Sequence, residues 1–493
     1  MTDPDSYPCV YTLLLEHNSD IMITMKVLFC SSEAVPFAKT GGLADVSSAL
    51  PDELRNQGID CSVVMPLYRC VRDTGVSLDH VSDISFLSGQ GIGTGRIFSS
   101  GHTFFIENDV HFNREGMYSY AAKDFPDNLE RFAFYSRACI ELLSILGDVD
   151  IVHCNDWQSA LVLPYLRSLG IEGIATLFTI HNLAYQGNFE VSLWPLLLLP
   201  QEYLHPDFME FFGRINVMKA GIVFADMVNT VSPTYALEIQ TPEFGSGLDG
   251  LLRSVSYKLS GIANGIDGAI WNPETDHLIA QTYSAQDISG KDLCKKDLQA
   301  RFSLTPGDHP VFGMIGRLVE QKGIDLVIDV IPELVRSGAQ IVILGNGLKE
   351  YEQMLLNISS IHQGQLGIHI GFDERLAHII EAGSDFFLMP SKFEPCGLNQ
   401  MISMRYGTIP IVTGVGGLKD TVEALGEDDH PCGIRVSTPT KDALWAALDQ
   451  ALTLFSREKS VFETLRINAM KKDVDWKTSA QEYLLLYNKM KKF

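Results

Sequence analysis

Positive charge is in short supply in this chain: 38 Lys and Arg stand against 61 Asp and Glu, a net charge of −23. That balance excludes the basic surface that a nucleic-acid binder needs, and it makes any local pair of cations informative. The nine cysteines contain no Cys-x-x-Cys pair, so they fit reduced thiols better than a disulfide framework or a structural zinc site. His-Glu-x-x-His, a Walker P-loop and a strand followed by G-x-G-x-x-G are all missing, so neither a metal nor a cofactor is implied. The long apolar stretch near 191–199 is broken by Trp194-Pro195 and is too short for a bilayer, so no membrane association is expected. Asp3 and Asp5 stand where a secretory leader carries positive charge; residues 1–24 are therefore expected to be a flexible extension of a cytoplasmic protein.

What is present is an ordinary globular composition, 46% hydrophobic, in a chain of 493 residues that must divide into at least two domains. Short apolar runs alternate with longer amphipathic ones, the pattern of an α/β fold with parallel strands. Val27–Phe29, Cys61–Met65, Phe104–Ile106, Ile151–His153, Ala175–Ile180 and Met227–Thr230 read as strands of a first domain, 25–262. Val311–Ile315, Gln340–Leu344, Ile368–Ile370, Phe386–Met389 and Ile409–Val412 read as those of a second, 263–475. Leu251–Leu259 reads as a helix before a turn-rich domain boundary at Ile262–Asp267, and Gly89–Gly95 as a turn region that follows no clear strand. A last helix within 476–493 carries Ala480, Tyr483, Leu484 and Tyr487 on one face.

Each strand ends in small or polar residues, and in open α/β sheets such ends face a ligand cleft. Lys39-Thr40-Gly41-Gly42 lies between a strand and a helix, where it is either a phosphate-holding loop or simply a tight turn. Arg317 and Lys322 flank the mouth of a helix between Gly316 and Gly323, a fork and a point charge suited to a diphosphate. Glu394 precedes Cys396, Gly397 and Leu398 at another helix entry, where it can cap the helix or meet a sugar hydroxyl. Gly416, Gly417 and Leu418 repeat the first Gly-Gly design. Asp156 is a good helix N-cap as well as a strand-end carboxylate.

These motifs resemble, in order and approximate spacing, those of the bacterial glycogen synthase and plant starch synthase family, glycosyltransferase family 5. Lys39–Leu43, His181–Gly187, Gly316–Gly323, Phe393–Leu398 and Gly416–Thr421 carry the resemblance, with Asp127–Phe134, Val231–Tyr235 and Ile239–Gly245. It implies a GT-B architecture, two Rossmann-like domains facing each other across a deep cleft, with the final helix returning to the first domain. It further implies retaining transfer of glucose from ADP-glucose to the non-reducing end of an α-1,4-glucan such as glycogen. In that picture Lys39, Gly41 and Gly42 face the donor from the first domain, and Arg317 and Lys322 neutralise its diphosphate. His181 touches the transferred glucose, and Glu394 its hydroxyls, with the amides of Cys396, Gly397 and Leu398. Gly416, Gly417 and Leu418 line the donor, and Phe372 stands where the family often has an aromatic ring, usually tyrosine, against the nucleobase. Asn155, Asp156, Trp157 and Tyr185 line the sugar or acceptor side. A UDP-glucose-dependent enzyme of the same fold and a catalytically silent glucan-binding scaffold are the alternatives. No catalytic nucleophile can be named from the sequence.

Overall fold

A computed structural model describes residues 25–120 and 123–491; the extension expected at 1–24 lies outside the described residues. The first sheet has nine strands: β1 (Lys26–Cys30), β2 (Asp60–Pro66), β3 (Asp79–Ser88), β4 (Gly91–Ser100), β5 (Thr103–Glu107), β6 (Ile151–Asn155), β7 (Ala175–Ile180), β8 (Met227–Thr230) and β9 (Leu259–Gly261). Their order is β9-β8-β7-β6-β1-β2-β5-β4-β3. The second sheet has six parallel strands, β10 (Val311–Ile315), β11 (Gln340–Gly345), β12 (Leu366–Ile370), β13 (Phe386–Met389), β14 (Ile409–Thr413) and β15 (Ile434–Val436), ordered β12-β11-β10-β13-β14-β15. Central strands are buried on both faces by helices, so they read as continuous apolar runs; every residue of β6 and β11 is buried.

Each sheet is wound outward from its middle, which puts a topological switch point between β1 and β6 and another between β10 and β13. Ligands of such sheets bind beyond the carboxyl ends of the strands at those points. The helices that follow the strands there, and nearby, are α1 (Gly42–Asn56), α2 (Asp156–Ala160), α3 (Pro233–Glu238), α4 (Ile324–Arg336), α5 (Asn399–Arg405) and α6 (Gly416–Thr421); α7 (Trp476–Met490) is the last.

Two expectations fail at the edges of the first sheet. Gly89 and Gln90 make the turn of the β3–β4 hairpin, and Gly91–Gly95 is strand, antiparallel to β3. Glycine is used there because there is no room for a side chain: a Cβ on Gly95 would stand 2.5 Å from the Glu107 carbonyl oxygen and 3.0 Å from the Phe134 ring. The helix expected over Leu251–Leu259 stops at Ser254, a 3-10 turn takes Ser256–Lys258, and Leu259 opens β9 beside β8.

Helix α7 belongs to the hydrophobic core of the first sheet through Trp476, Ala480, Tyr483, Leu486, Tyr487 and Met490. Leu486 is buried on this face as well, and Leu484 packs half-buried against the same core. The Tyr487 hydroxyl hydrogen-bonds His153 Nδ1 at 2.8 Å, and Asn229 donates to the Tyr483 hydroxyl at 2.9 Å. The chain thus passes between the sheets twice. The two passages run side by side, with Ile266 N–H donating to the Val474 carbonyl at 2.8 Å and Ile266 bridged to Asp475.

Candidate active site

The switch point of the first sheet carries a carboxylate that the sequence reading missed. Glu33, 4% exposed, accepts from Thr40 N–H and Thr40 Oγ1, both at 2.5 Å, from Gly41 N–H at 3.2 Å and from the Tyr118 hydroxyl at 2.6 Å. The glycine loop is therefore organised around a protein carboxylate, which already holds the Gly41 amide. Lys39 is paired with Asp45 at 2.7 Å rather than free. Gly42 opens α1 and faces the second domain, where a Cβ on it would lie 3.7 Å from Leu398 Cδ1. Ser31-Ser32-Glu33 is a polar strand ending like those that identified His153–Asp156, so the signal for Glu33 was present.

Beside it, β6 ends in Asn155 and Asp156. Asn155 is fully buried, with its amide nitrogen donating to the carbonyls of Cys30 at 3.1 Å and His153 at 3.3 Å. That fixes its Oδ1 toward His181 Nε2, 2.9 Å away. His181 Nε2 must then carry the proton, which leaves Nδ1 as an acceptor. Burial holds the imidazole well below its ordinary range, at about 3, so it works as a neutral ring. Asp156 does not cap its own helix. Its Oδ1 accepts from His181 N–H at 2.8 Å, and its backbone takes the left-handed conformation, φ 54°, a strained choice of the kind that collects at functional sites.

Burial raises the Asp156 carboxyl from 3.8 to about 7, against the backbone donors that pull it down. The sign of the linkage follows. The folded state holds a proton that the unfolded chain releases above the usual carboxylate range, so this group's contribution to stability shrinks as pH rises toward about 7. Relative to Asp156→Asn, the wild type is expected to lose stability over that window. The ceiling is about 4 kcal/mol, reduced because the side chain keeps some surface in the cleft. Thermal midpoints of both proteins, compared between pH 5 and 8, check this; a difference that does not change with pH contradicts it.

In the second domain the loops after β10 and β13 are bound to one another. Lys322 Nζ meets Glu394 Oε2 at 2.5 Å, Ser391 Oγ donates to the same oxygen at 3.1 Å, and Lys392 N–H donates to the Gln321 carbonyl at 2.8 Å. Glu394 is 5% exposed; its partnership is with a lysine ammonium and not with the first turn of α5. Arg317 reaches across the cleft, donating to the Tyr185 hydroxyl at 2.9 Å while its other nitrogen bonds Gln321 at 3.1 Å. Cys396 is buried, and burial pushes its thiol up to about 12, so it is a protonated thiol and no nucleophile. Gly417 N–H donates to the carbonyls of Glu394 and Pro395, each at 3.2 Å, which seats the second glycine turn on the Glu394 loop.

One expected residue lies elsewhere. Trp157 packs edge-on to Phe132 at 5.0 Å and against Phe189 and Gly187, so its indole belongs to the core and braces the His181–Gly187 loop. Phe372, at the end of β12, is 78% exposed, an open ring face at the rim. Among the described residues no group of three His, Cys, Asp or Glu side chains is placed to hold a metal ion, and no helix is long and apolar enough to cross a membrane.

Comparison with known proteins meets this geometry. The family model described as the starch synthase catalytic domain matches residues 26–254, and glycosyl transferases group 1 matches 295–461. The chain is 45% identical to the glycogen synthase of Myxococcus xanthus over 477 residues, covering 94% of this chain and 99% of the relative. It is 41% identical to that of Syntrophotalea carbinolica over 478 residues, with 94% and 99% covered. Its backbone matches the catalytic domain of starch synthase IV from Arabidopsis thaliana, bound to ADP and acarbose, with a TM-score of 0.89 at 32% identity, over 95% of this chain and 100% of that one. Sucrose-phosphate synthase from Thermosynechococcus elongatus, 18% identical with a TM-score of 0.61, shares the fold. Two facing Rossmann-like domains, a cleft lined from both switch points and relatives matched end to end place the chain in one group: it belongs to the bacterial glycogen synthase and plant starch synthase family, glycosyltransferases of GT-B fold.

Proposed function

We propose that the chain transfers glucose from ADP-glucose to the non-reducing end of an α-1,4-glucan, with retention of configuration, at the cleft between Lys322–Glu394 and Asp156–His181. The observation that carries the reading is the Lys322–Glu394 ion pair at 2.5 Å with Arg317 beside it, opposite a neutral histidine and a buried aspartate. The ADP and acarbose bound by the Arabidopsis relative support an adenine nucleotide on the donor side.

In the reaction the bond from glucose C1 to the diphosphate breaks, and its electron pair leaves on the phosphate oxygen. Arg317 and Lys322 receive that charge in a site where preorganised cations act strongly. Lys322 spends one N–H on Glu394 and keeps two for phosphate oxygens. Glu394 uses Oε2 for Lys322 and Ser391 and keeps Oε1 for a sugar hydroxyl. The acceptor hydroxyl attacks from the face the diphosphate leaves, and its proton passes to the departing phosphate oxygen. Neutral His181 and the Asp156 it is bonded to hold the glucose ring, and Phe372 offers its exposed face to the base. Side-by-side passages at Asn264–Asp267 and Val474–Trp476 let the domains close over the donor and exclude water.

The test offers ADP-glucose and UDP-glucose separately, at equal concentration, with glycogen as acceptor. A higher kcat/KM with ADP-glucose is expected, by about tenfold or more, since base selection rests on few contacts. Preference for UDP-glucose would overturn the donor assignment; glucan binding with no transfer from either would favour a silent scaffold.

A further inference from the structure

Two short helices meet across the domain boundary, one from each domain: α3 after β8 and α6 after β14. Their end groups are exchanged. Asp420, on the last turn of α6, accepts from Thr234 N–H at 3.1 Å, from Thr234 Oγ1 at 2.5 Å and from Ser232 Oγ, the residue that caps α3. Glu238, which ends α3, accepts from Gly416 N–H, the first amide of α6, at 2.9 Å. Each helix thus gives a carboxylate to the free amides at the start of the other, the position where a negative charge is best placed. One amide at the start of each helix, Thr234 N–H in α3 and Gly416 N–H in α6, is thus satisfied from the opposite domain.

The exchange reaches the reacting groups in one step. Gly416 has φ 43°, and a Cβ on it would overlap the Glu394 carbonyl oxygen, while the next amide donates to that same carbonyl at 3.2 Å. The glycine turn gripped by Glu238 is therefore the one on which the backbone of Glu394 rests. Glu238 Oε2 is buried without a protein partner, a costly placement for a carboxylate whose first oxygen reaches another domain. Among the described residues the hydrogen bonds of Glu238 and Asp420 go to the two helix starts and not to Lys322 or His181.

We propose that Glu238 and Asp420 are positioning residues: a reciprocal pair of caps, formed between domains, that fixes the Gly416–Gly417 turn and through it sets Glu394 against the first domain. The inference rests on the proposed transferase site for its activity readout, and on geometry alone for its exchange readout.

Glu238→Ala removes the acceptor for Gly416 N–H, whereas Glu238→Gln keeps a carbonyl oxygen in the same place. Glucosyl transfer by Glu238→Ala is expected to fall in kcat by about 10- to 100-fold, the range for one charge-assisted hydrogen bond, with KM for ADP-glucose changed less than threefold. Glu238→Gln is expected to recover most of that loss, and Asp420→Ala to behave like Glu238→Ala. Amide hydrogen exchange on the same proteins, without any donor, is expected to rise over 394–398 and 414–421 in both alanine variants while the β10–β13 core stays protected. An unchanged kcat in Glu238→Ala, an equal loss in Glu238→Gln, or exchange that rises throughout the second domain would overturn the proposal. If the wild type transfers no glucose, the functional reading fails and the exchange arm still decides whether the caps hold the turn.

Discussion

Glu394→Ala is expected to lower kcat for glucosyl transfer about 1000-fold while leaving glucan affinity within a factor of about three. Glu394 is almost fully buried and is tied to Lys322 and Ser391 through one oxygen. Removing one partner of a buried pair leaves the other uncompensated, at a cost of about 3–5 kcal/mol in the most buried cases. Lys322 keeps 22% of its side chain exposed, so water screens part of that cost and the lower end applies to stability. The larger effect falls on catalysis. Without Glu394, Lys322 is no longer held at the mouth of the cleft, and the second oxygen reserved for the sugar is gone. Glu394→Gln retains the shape and one acceptor but not the charge, and should sit between wild type and alanine. The rates and a glucan-binding isotherm decide it; lost glucan binding with retained kcat would move Glu394 out of the donor side.

Gly323→Ala should be nearly as damaging, by a different route. Gly323 links the Lys322 loop to α4 with φ 70°, and a Cβ there would overlap the Pro390 carbonyl. Both conditions exclude a side chain: the left-handed conformation disfavours it, and the obstacle is backbone that cannot swing away. The two loops of the second switch point are therefore touching at this position. Alanine is expected to destabilise the second domain by about 3 kcal/mol. That corresponds to a fall of roughly 10 °C in its thermal midpoint. It should also depress kcat, because the loops separate where Lys322 meets Glu394. Wild-type melting and turnover in this variant would show that the loops tolerate separation.

Much of this was legible in the sequence where one physical signal dominates. Ala175–Ile180, Met227–Thr230, Val311–Ile315 and Phe386–Met389 are strands at the boundaries read from them, because strands buried on both faces are short runs with few polar positions and no exposed ones to blur the alternation. β3 and β4 were missed because an edge hairpin lacks that continuous run, and because its glycines, which make room for Phe134, imitate a turn. Leu259 continued a helical pattern but lies where β8 offers a parallel partner, and tertiary pairing won.

The site was legible as a set of strand endings and less so as a set of roles. Local spacing marks which residues reach the cleft. It does not say whether a carboxylate faces solvent, a backbone or a cation. Thus Asp156 read as a sugar- or acceptor-side carboxylate with helix capping as its alternative, and it accepts from the His181 amide; Lys39 read as a donor-side charge, and it is paired with Asp45; Trp157 read as a cleft residue but fills the core. Glu33 carries the same strand-end signal and was passed over because its partners, Thr40 and Tyr118, are brought to it only by the fold.

The measurement that bears most directly on the account is a double-mutant cycle on kcat for transfer from ADP-glucose to glycogen: wild type, Lys322→Ala, Glu394→Ala and the pair together. Residues acting as one unit are strongly non-additive, so the double variant is predicted to fall little below the poorer single. Losses that multiply independently would contradict a joined Lys322–Glu394 centre.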